Sequence, residues 1–158
     1  VEIEEVDDSL SVSRIGPLVR TNIKTMPYPG FPTDMQPQIA AALCLARGTS
    51  IITDSVWNTR FRYTDEFKRM GAQIQVDGNL AIIEGVERLS GAQLEACDLR
   101  AGAAMLIAAL AAQGISEITN VQYIERGYED VIGKIQAVGG RIRSVEIPEE
   151  ELLVSNAG

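Results

Sequence analysis

Histidine is absent from all 158 residues. That removes Ser–His and Cys–His catalytic pairs and any zinc site built on His and Cys. Cysteine occurs twice, as Cys44 and Cys97, far apart in the sequence. Two lone thiols in apolar surroundings read as small core residues in a reducing compartment rather than as a disulfide. Runs of Lys and Arg are also missing, and the net charge is −8. A general nucleic-acid or anionic-membrane surface is therefore excluded, whereas a phosphate-bearing small molecule held by a few placed arginines is not. The longest uncharged run, "AGAAMLIAALAAQGIS", falls short of the ~20 largely apolar residues of a membrane span. With no visible signal peptide, the expected location is the cytoplasm. The chain opens at Val1 inside an alternating strand pattern, as a piece of a longer protein would.

What is present is a repeat. "GTSIITDSVWNTRF" from Gly48 aligns with "GISEITNVQYIERGY" from Gly114, an offset of 66 residues that Arg60 and Arg126 share. Asp34 and Asp98 are 64 apart, "MGAQIQV" and "VGGRIRSV" 68, and "VDDSL" and "VDGNL" 70. Five matches in one order define two units, about 21–86 and 87–154, behind the tail of a third. The length fits one domain over 1–158.

Each unit reads as βαβαββ. Strands are expected at "IKTM", "TSIITD", "AQIQV" and "LAIIEGV" in the first unit and at "AQLEAC", "ISEITN" and "RIRSV" in the second. Helices are expected at about 35–47, 64–70, 99–113 and 127–138, with Gly71 and Gly139 at left-handed C′ positions and a hairpin through "DGN". "AALCLA" and "AGAAMLIAALAAQ" are apolar nearly all round, as buried helices are, while the strands alternate as in a sheet with one wet face. The fold class is thus α/β, with helices inside, sheets outside and pseudo-threefold packing of the units. With much of one unit missing, apolar helix surface and self-association are expected.

The stretch "PYPGFPTDMQPQ" holds Asp34 on a proline-stiffened loop before the first buried helix. Thr33 and Gln36 have the spacing of a capping box, but that register puts Pro37 at N4, where an N–H is needed. With Asp34 itself as N-cap, Pro37 moves to N3 and one amide donor is lost, which leaves the carboxylate more available to a ligand. Asp98 opens the equivalent helix as an N-cap. Arg60 and Arg126 occupy equivalent loops, the helix starts at 35 and 99 offer free N–H groups, and these loops would converge into a basic, anion-accepting mouth if the units share an axis. Trp57 reads as an anchor beside that loop.

Taken together, "PYPGFPTDMQ", "GTSIITDSVWNTRF", "RMGAQI", "DLRAGA" and "ERGYEDVIGKIQAVGG" resemble the C-terminal third of the UDP-N-acetylglucosamine 1-carboxyvinyltransferase family of enolpyruvyl transferases. The resemblance implies a fold of inside-out α/β barrels, each of three βαβαββ units, with the active site between two of them. It implies that Asp34 contacts the sugar's 3-hydroxyl as general base and that the backbone of Val56 contacts the UDP-sugar. It implies that Arg126 meets the group derived from phosphoenolpyruvate, that Arg60 is a second cleft arginine, and that Asp98 and Arg100 line the cleft. No metal or organic cofactor is implied. The partners implied are UDP-N-acetylglucosamine, phosphoenolpyruvate and the missing N-terminal part of the enzyme.

Asn58 and Thr59 stand where the family usually has an acidic residue and Asn, and Tyr123 and Glu125 where it usually has His and Asp. The family's Lys-Asn pair and its loop bearing a catalytic Cys match nothing here, and neither Cys44 nor Cys97 takes over that role. The chain is therefore expected to be inactive alone. The related shikimate-pathway transferase and a non-catalytic nucleotide-sugar-binding or structural module are the alternatives.

Overall fold

A computed structural model of the chain describes residues 1–57 and 60–146. These form two compact units, Val1–Gly127 and the residues from Tyr128 on. Asn58 and Thr59, and the end of the second repeat with them, lie outside the described residues.

The first unit begins with a hairpin, β1 (Glu2–Val6) paired antiparallel with β2 (Ser9–Ser13), every residue of which is exposed. A complete repeat follows: β3 (Asn22–Thr25), α1 (Gln36–Leu43), β4 (Thr49–Asp54), α2 (Thr64–Arg69), β5 (Gln73–Asp77) and β6 (Leu80–Glu84). Its sheet has the order β3-β4-β6-β5, with β3 parallel to β4 and the other neighbours antiparallel. The second repeat contributes β7 (Gln93–Glu95), α3 (Leu99–Ala111), β8 (Glu117–Thr119) and the one-turn helix α4 (Gln122–Glu125), with β7 parallel to β8.

Alternation on β4 sorts its side chains. Ser50, Ile52 and Asp54 are buried, whereas Thr49 and Ile51 face water. Ile74, Ala81 and Ile83 on β5 and β6 complete the inner face. Over it lies α1, none of whose residues is exposed, packed against α3. Small side chains make that approach possible: Ala40 and Ala41 on α1, and Ala101, Gly102, Ala104 and Ala108 on α3, are all buried. Gly102 is required at its position, because a Cβ there would sit 2.5 Å from Ile124 Cγ1 on α4. Tyr63 and Phe67 fill the space beside α1, edge to face with centroids 5.1 Å apart. Full burial of such large side chains stabilises by roughly 1.5–3 kcal/mol each relative to exposure. The expected apolar helix surface is present on α3, where Ile107 and Leu110 are 43% and 47% exposed.

In the second unit, α5 (Val131–Ala137) starts at Asp130, whose side chain accepts from the Gly133 amide. Its end repeats that of α2. At α2 the Gly71 amide donates to Lys68 O and the Ala72 amide to Phe67 O, and at α5 Gly139 donates to Gln136 O and Gly140 to Ile135 O. Both are Schellman motifs, with glycine at φ 90° and 89°.

Several boundaries differ from those read in the sequence. α1 stops at Leu43 because the Leu45 and Ala46 amides donate to Ala42 O and Leu43 O, tightening the chain toward Gly48 at φ 92°. α3 stops at Ala111. The helix expected over 127–138 begins only at Val131, and α4 precedes it. "RIRSV" forms no strand. Its counterpart β5 is held by an antiparallel neighbour, β6, whereas no strand among the described residues pairs with "RIRSV".

Candidate active site

Asp34 sits in a 3-10 turn, Thr33–Met35, ahead of α1. Neither Thr33 nor Asp34 caps a helix with its side chain, which overturns both capping registers. The N-cap of α1 is Met35, so Pro37 falls at N2, where its missing N–H costs no helical hydrogen bond. Released from capping, the Asp34 carboxylate is half exposed and accepts from Arg60 Nη2 at one oxygen and from Arg100 Nη2 at the other, the latter at 3.0 Å. Partial burial pushes its pKa up. The hydrogen bond and charge of Arg100, then those of Arg60, outweigh that and hold it below the usual carboxylate value.

Asp98 is different. Its Oδ1 accepts from the Arg100 and Ala101 amides, both at 2.8 Å, and it is the N-cap of α3 as expected. This cap commits the amides at that helix start, and it places Arg100 in the first turn, where the guanidinium reaches Asp34. Arg126 follows α4, its guanidinium 5.5 Å from the ring centroid of Tyr123.

Asp34, Arg60, Asp98, Arg100 and Arg126 line one cavity of about 340 Å³, together with Trp57, Arg62, Cys97 and Leu99. Four arginines meet two aspartates there, a local charge of +2 in a chain of −8. Such a mouth accepts a phosphate or carboxylate. Val56 is not among the lining residues, and its amide donates to Asp54 Oδ1 at 2.9 Å. Trp57 is no buried anchor: it is 56% exposed, and its ring faces the Arg60 guanidinium at 5.9 Å. Cys97 is half-buried, and burial followed by the Asp98 charge raises its pKa.

Two participants escaped the sequence reading, Arg62 and Asp54, and the Thr33 hydroxyl, read there as a helix cap, instead bonds to Asp54 and Arg60. Asp54 is fully buried at the end of β4 and accepts from four donors. A signal for it existed, since counting by twos from Ser50 along "SIITD" puts an aspartate on the core face.

Comparison with known proteins gives the family of the chain. A sequence model of the family described as EPSP synthase (3-phosphoshikimate 1-carboxyvinyltransferase) matches residues 1–135. UDP-N-acetylglucosamine 1-carboxyvinyltransferase 3 of Caldanaerobacter subterraneus subsp. tengcongensis is 54% identical over 90% of the chain, which spans 34% of that relative. The Desulfofundulus thermocisternus UDP-N-acetylglucosamine 1-carboxyvinyltransferase is 50% identical over 99% of the chain and 65% of its own length. The Thermotoga petrophila enzyme of the same name is 58% identical over 79% of the chain and 30% of its own length. The chain thus spans about a third of most of these relatives and about two-thirds of one. Among solved structures, the enolpyruvyl transferase NikO from Streptomyces tendae superposes with a TM-score of 0.84 at 29% identity, over 93% of the chain and 34% of NikO. EPSP synthase from Acinetobacter baumannii shares the fold, with a TM-score of 0.57 at 19% identity over 82% of the chain and 30% of its own. The fold is that of the enolpyruvyl transferases, and the chain belongs to the EPSP synthase (3-phosphoshikimate 1-carboxyvinyltransferase) family, its curated relatives at 45–58% identity being UDP-N-acetylglucosamine 1-carboxyvinyltransferases.

Proposed function

We propose that this chain is the C-terminal part of an enzyme that moves the enolpyruvyl group of phosphoenolpyruvate to the 3-hydroxyl of UDP-N-acetylglucosamine, releasing phosphate. The observation that supports this reading best is the Asp34 carboxylate, uncommitted to a helix cap and gripped by two arginines in a cationic cavity. As the sugar oxygen bonds to C2 of phosphoenolpyruvate, its proton passes to Asp34 as general base, while the C2–C3 double bond opens and takes a proton at C3 from a general acid in the rest of the enzyme. The C2–O bond to phosphate then breaks as C3 gives up a proton and the double bond re-forms, and the charge on the leaving phosphate is stabilised by arginines of the same cavity. Since the Val56 amide is engaged by Asp54, a backbone contact from Val56 to the UDP-sugar falls to its carbonyl. The rest of the enzyme supplies the general acid and further phosphate ligands.

The ion pairs also set when the base is strong. In the free protein Arg60 and Arg100 keep the carboxylate acidic. A substrate phosphate competes for the same guanidiniums, and each contact it takes from Asp34 raises the basicity of the carboxylate. Base strength then follows occupancy.

In this reading the two repeats, 21–86 and 87–154, are units of one barrel domain. The reaction is the first committed step of peptidoglycan synthesis, in the bacterial cytoplasm, and serves cell-wall biogenesis, cell shape and division. Phosphate release with both substrates tests it. The isolated chain is expected to release none, whereas a chimera joining it to the N-terminal remainder of the Caldanaerobacter relative is expected to turn over. Turnover by the isolated chain, or a well-folded chimera without it, overturns the reading.

A further inference from the structure

Asp54 is fully buried, yet no cation pairs with it among the described residues. Four hydrogen bonds satisfy it instead. Oδ1 accepts from the Thr25 hydroxyl at 2.8 Å and from the Val56 and Trp57 amides at 2.9 Å, and Oδ2 accepts from the Thr33 hydroxyl at 2.8 Å. These donors come from three segments: β3, the turn that carries Asp34, and the loop after β4.

Two of the four lead directly to Arg60. Because the Thr33 hydroxyl gives its proton to Asp54, its lone pairs face outward, and Arg60 Nε donates to that oxygen at 3.4 Å. The Trp57 amide fixes the residue whose ring faces the same guanidinium. Arg60 Nη2 in turn donates to Asp34.

The fold does not demand this arrangement. In the sister repeat the residue aligned with Asp54 is Asn120, at φ 57°, whose side-chain amide donates to Glu95 Oε1 at 2.8 Å. The same βαβ connection is made there without a buried carboxylate. A charge is costly to bury, so its presence in one repeat and absence from the other marks a function particular to the first.

We infer that Asp54 is a positioning residue, which acts through Thr33 and Trp57 to aim Arg60 at the Asp34 carboxylate. Its significance for catalysis rests on the reading of Asp34 as general base. The hydrogen-bond relay itself does not.

The test is therefore a titration needing no substrate, with the Asp34 carboxyl carbon followed by NMR against pH in the 158-residue chain. The groups around Asp34 that bear on its titration are Arg60 and Arg100, which bond to it, and Arg62, Cys97, Asp98 and Arg126, which line the same cavity. Thr33→Val keeps the shape and removes the acceptor for Arg60 Nε, and Thr33→Ser restores it. Asp54→Asn acts on the same link. Three donors hold Oδ1, so the new amide nitrogen falls at Oδ2 and points a donor at the Thr33 oxygen.

The expected result is an upward shift of the Asp34 midpoint by about half a pH unit or more in Thr33→Val, with the native midpoint kept in Thr33→Ser. Asp54→Asn is expected to shift it in the same direction. An unchanged Asp34 midpoint in folded Thr33→Val overturns the proposal, as does an equal shift in Thr33→Ser. Should Asp54→Asn fail to fold, the Thr33 pair still decides. A failed relay with an active chimera leaves the transferase reading standing, and an intact relay with an inactive chimera does the reverse.

Discussion

Arg100 on α3 donates to Asp34, 66 residues earlier in the chain, at 3.0 Å. The bond joins the two repeats at the starts of their equivalent helices. Asp34 comes from the turn before the buried helix of the first repeat, and Arg100 from the first turn of the equivalent helix in the second. Close packing of α1 on α3 is what brings the two helix starts together. The aspartate at this place differs in role between the repeats, since Asp98 caps its helix whereas Asp34 is held by arginines.

That pairing carries a sign in pH. The folded-state pKa of Asp34 lies below its ordinary value of 3.8, and so does that of Asp54. Their contribution to stability is present above that value and is lost as pH falls through it toward the folded values. Arg100→Ala removes part of the Asp34 contribution. Urea unfolding of native and variant chains at pH 7 and near pH 3 is expected to show a larger stability difference at pH 7. An equal difference at both contradicts the pairing.

Inorganic phosphate should compete with Asp34 for its arginines. Adding it is expected to raise the Asp34 midpoint, with a smaller effect in Arg60→Ala, where one shared guanidinium is already gone. The carboxyl NMR signal reads this directly. A midpoint indifferent to phosphate removes the link between occupancy and base strength.

The two thiols should react unequally. Cys44 is fully buried, and burial pushes its pKa up to about 12. Cys97 borders the cavity and is half-buried. A disulfide reagent at neutral pH is expected to label Cys97 slowly and Cys44 only on unfolding. Mass spectrometry of the labelled chain distinguishes the two, and early label on Cys44 would contradict the packing of α1.

Tyr63 and Gly85 report on the core from opposite directions. The Tyr63 hydroxyl is buried without a hydrogen-bond partner among the described residues, so Tyr63→Phe is expected to stabilise by about 1 kcal/mol. A Cβ at Gly85 would lie 1.6 Å from Ala46 O, so Gly85→Ala is expected to cost more than about 4 kcal/mol or prevent folding. Gly71, at φ 90° with open space around it, should cost about 1–2 kcal/mol as Ala, from backbone strain alone. Urea midpoints of the three variants give the order.

The sequence made the repeat legible because each βαβαββ unit must solve the same local problems. Glycines at 71 and 139 end helices the same way, and the "DGN" turn between β5 and β6 forms with Gly78 at φ 58°. The buried helices were legible too, because alanine-rich segments without a charged face have nowhere else to go. Asp34 was misread as a possible cap because capping is a local rule, and its partners Arg60 and Arg100 are 26 and 66 residues away. The strand expected at "RIRSV" is not formed among the described residues, and alternation alone does not specify one. Asp54 was readable in principle, as a carboxylate on the inward register of β4, yet only the fold reveals which donors converge on it.

The transferase reading turns on Asp34 as the base, and the most direct measurement is phosphate release by the chimera with Asp34 or Asn at this position. The two side chains are nearly isosteric, so the cavity keeps its shape while the proton acceptor is lost, and one of the two arginine bonds is lost with it because the amide nitrogen donates. A base at Asp34 predicts a kcat at least about 100-fold lower in Asp34→Asn, with the KM for UDP-N-acetylglucosamine changed far less. A variant that keeps the native kcat would contradict it.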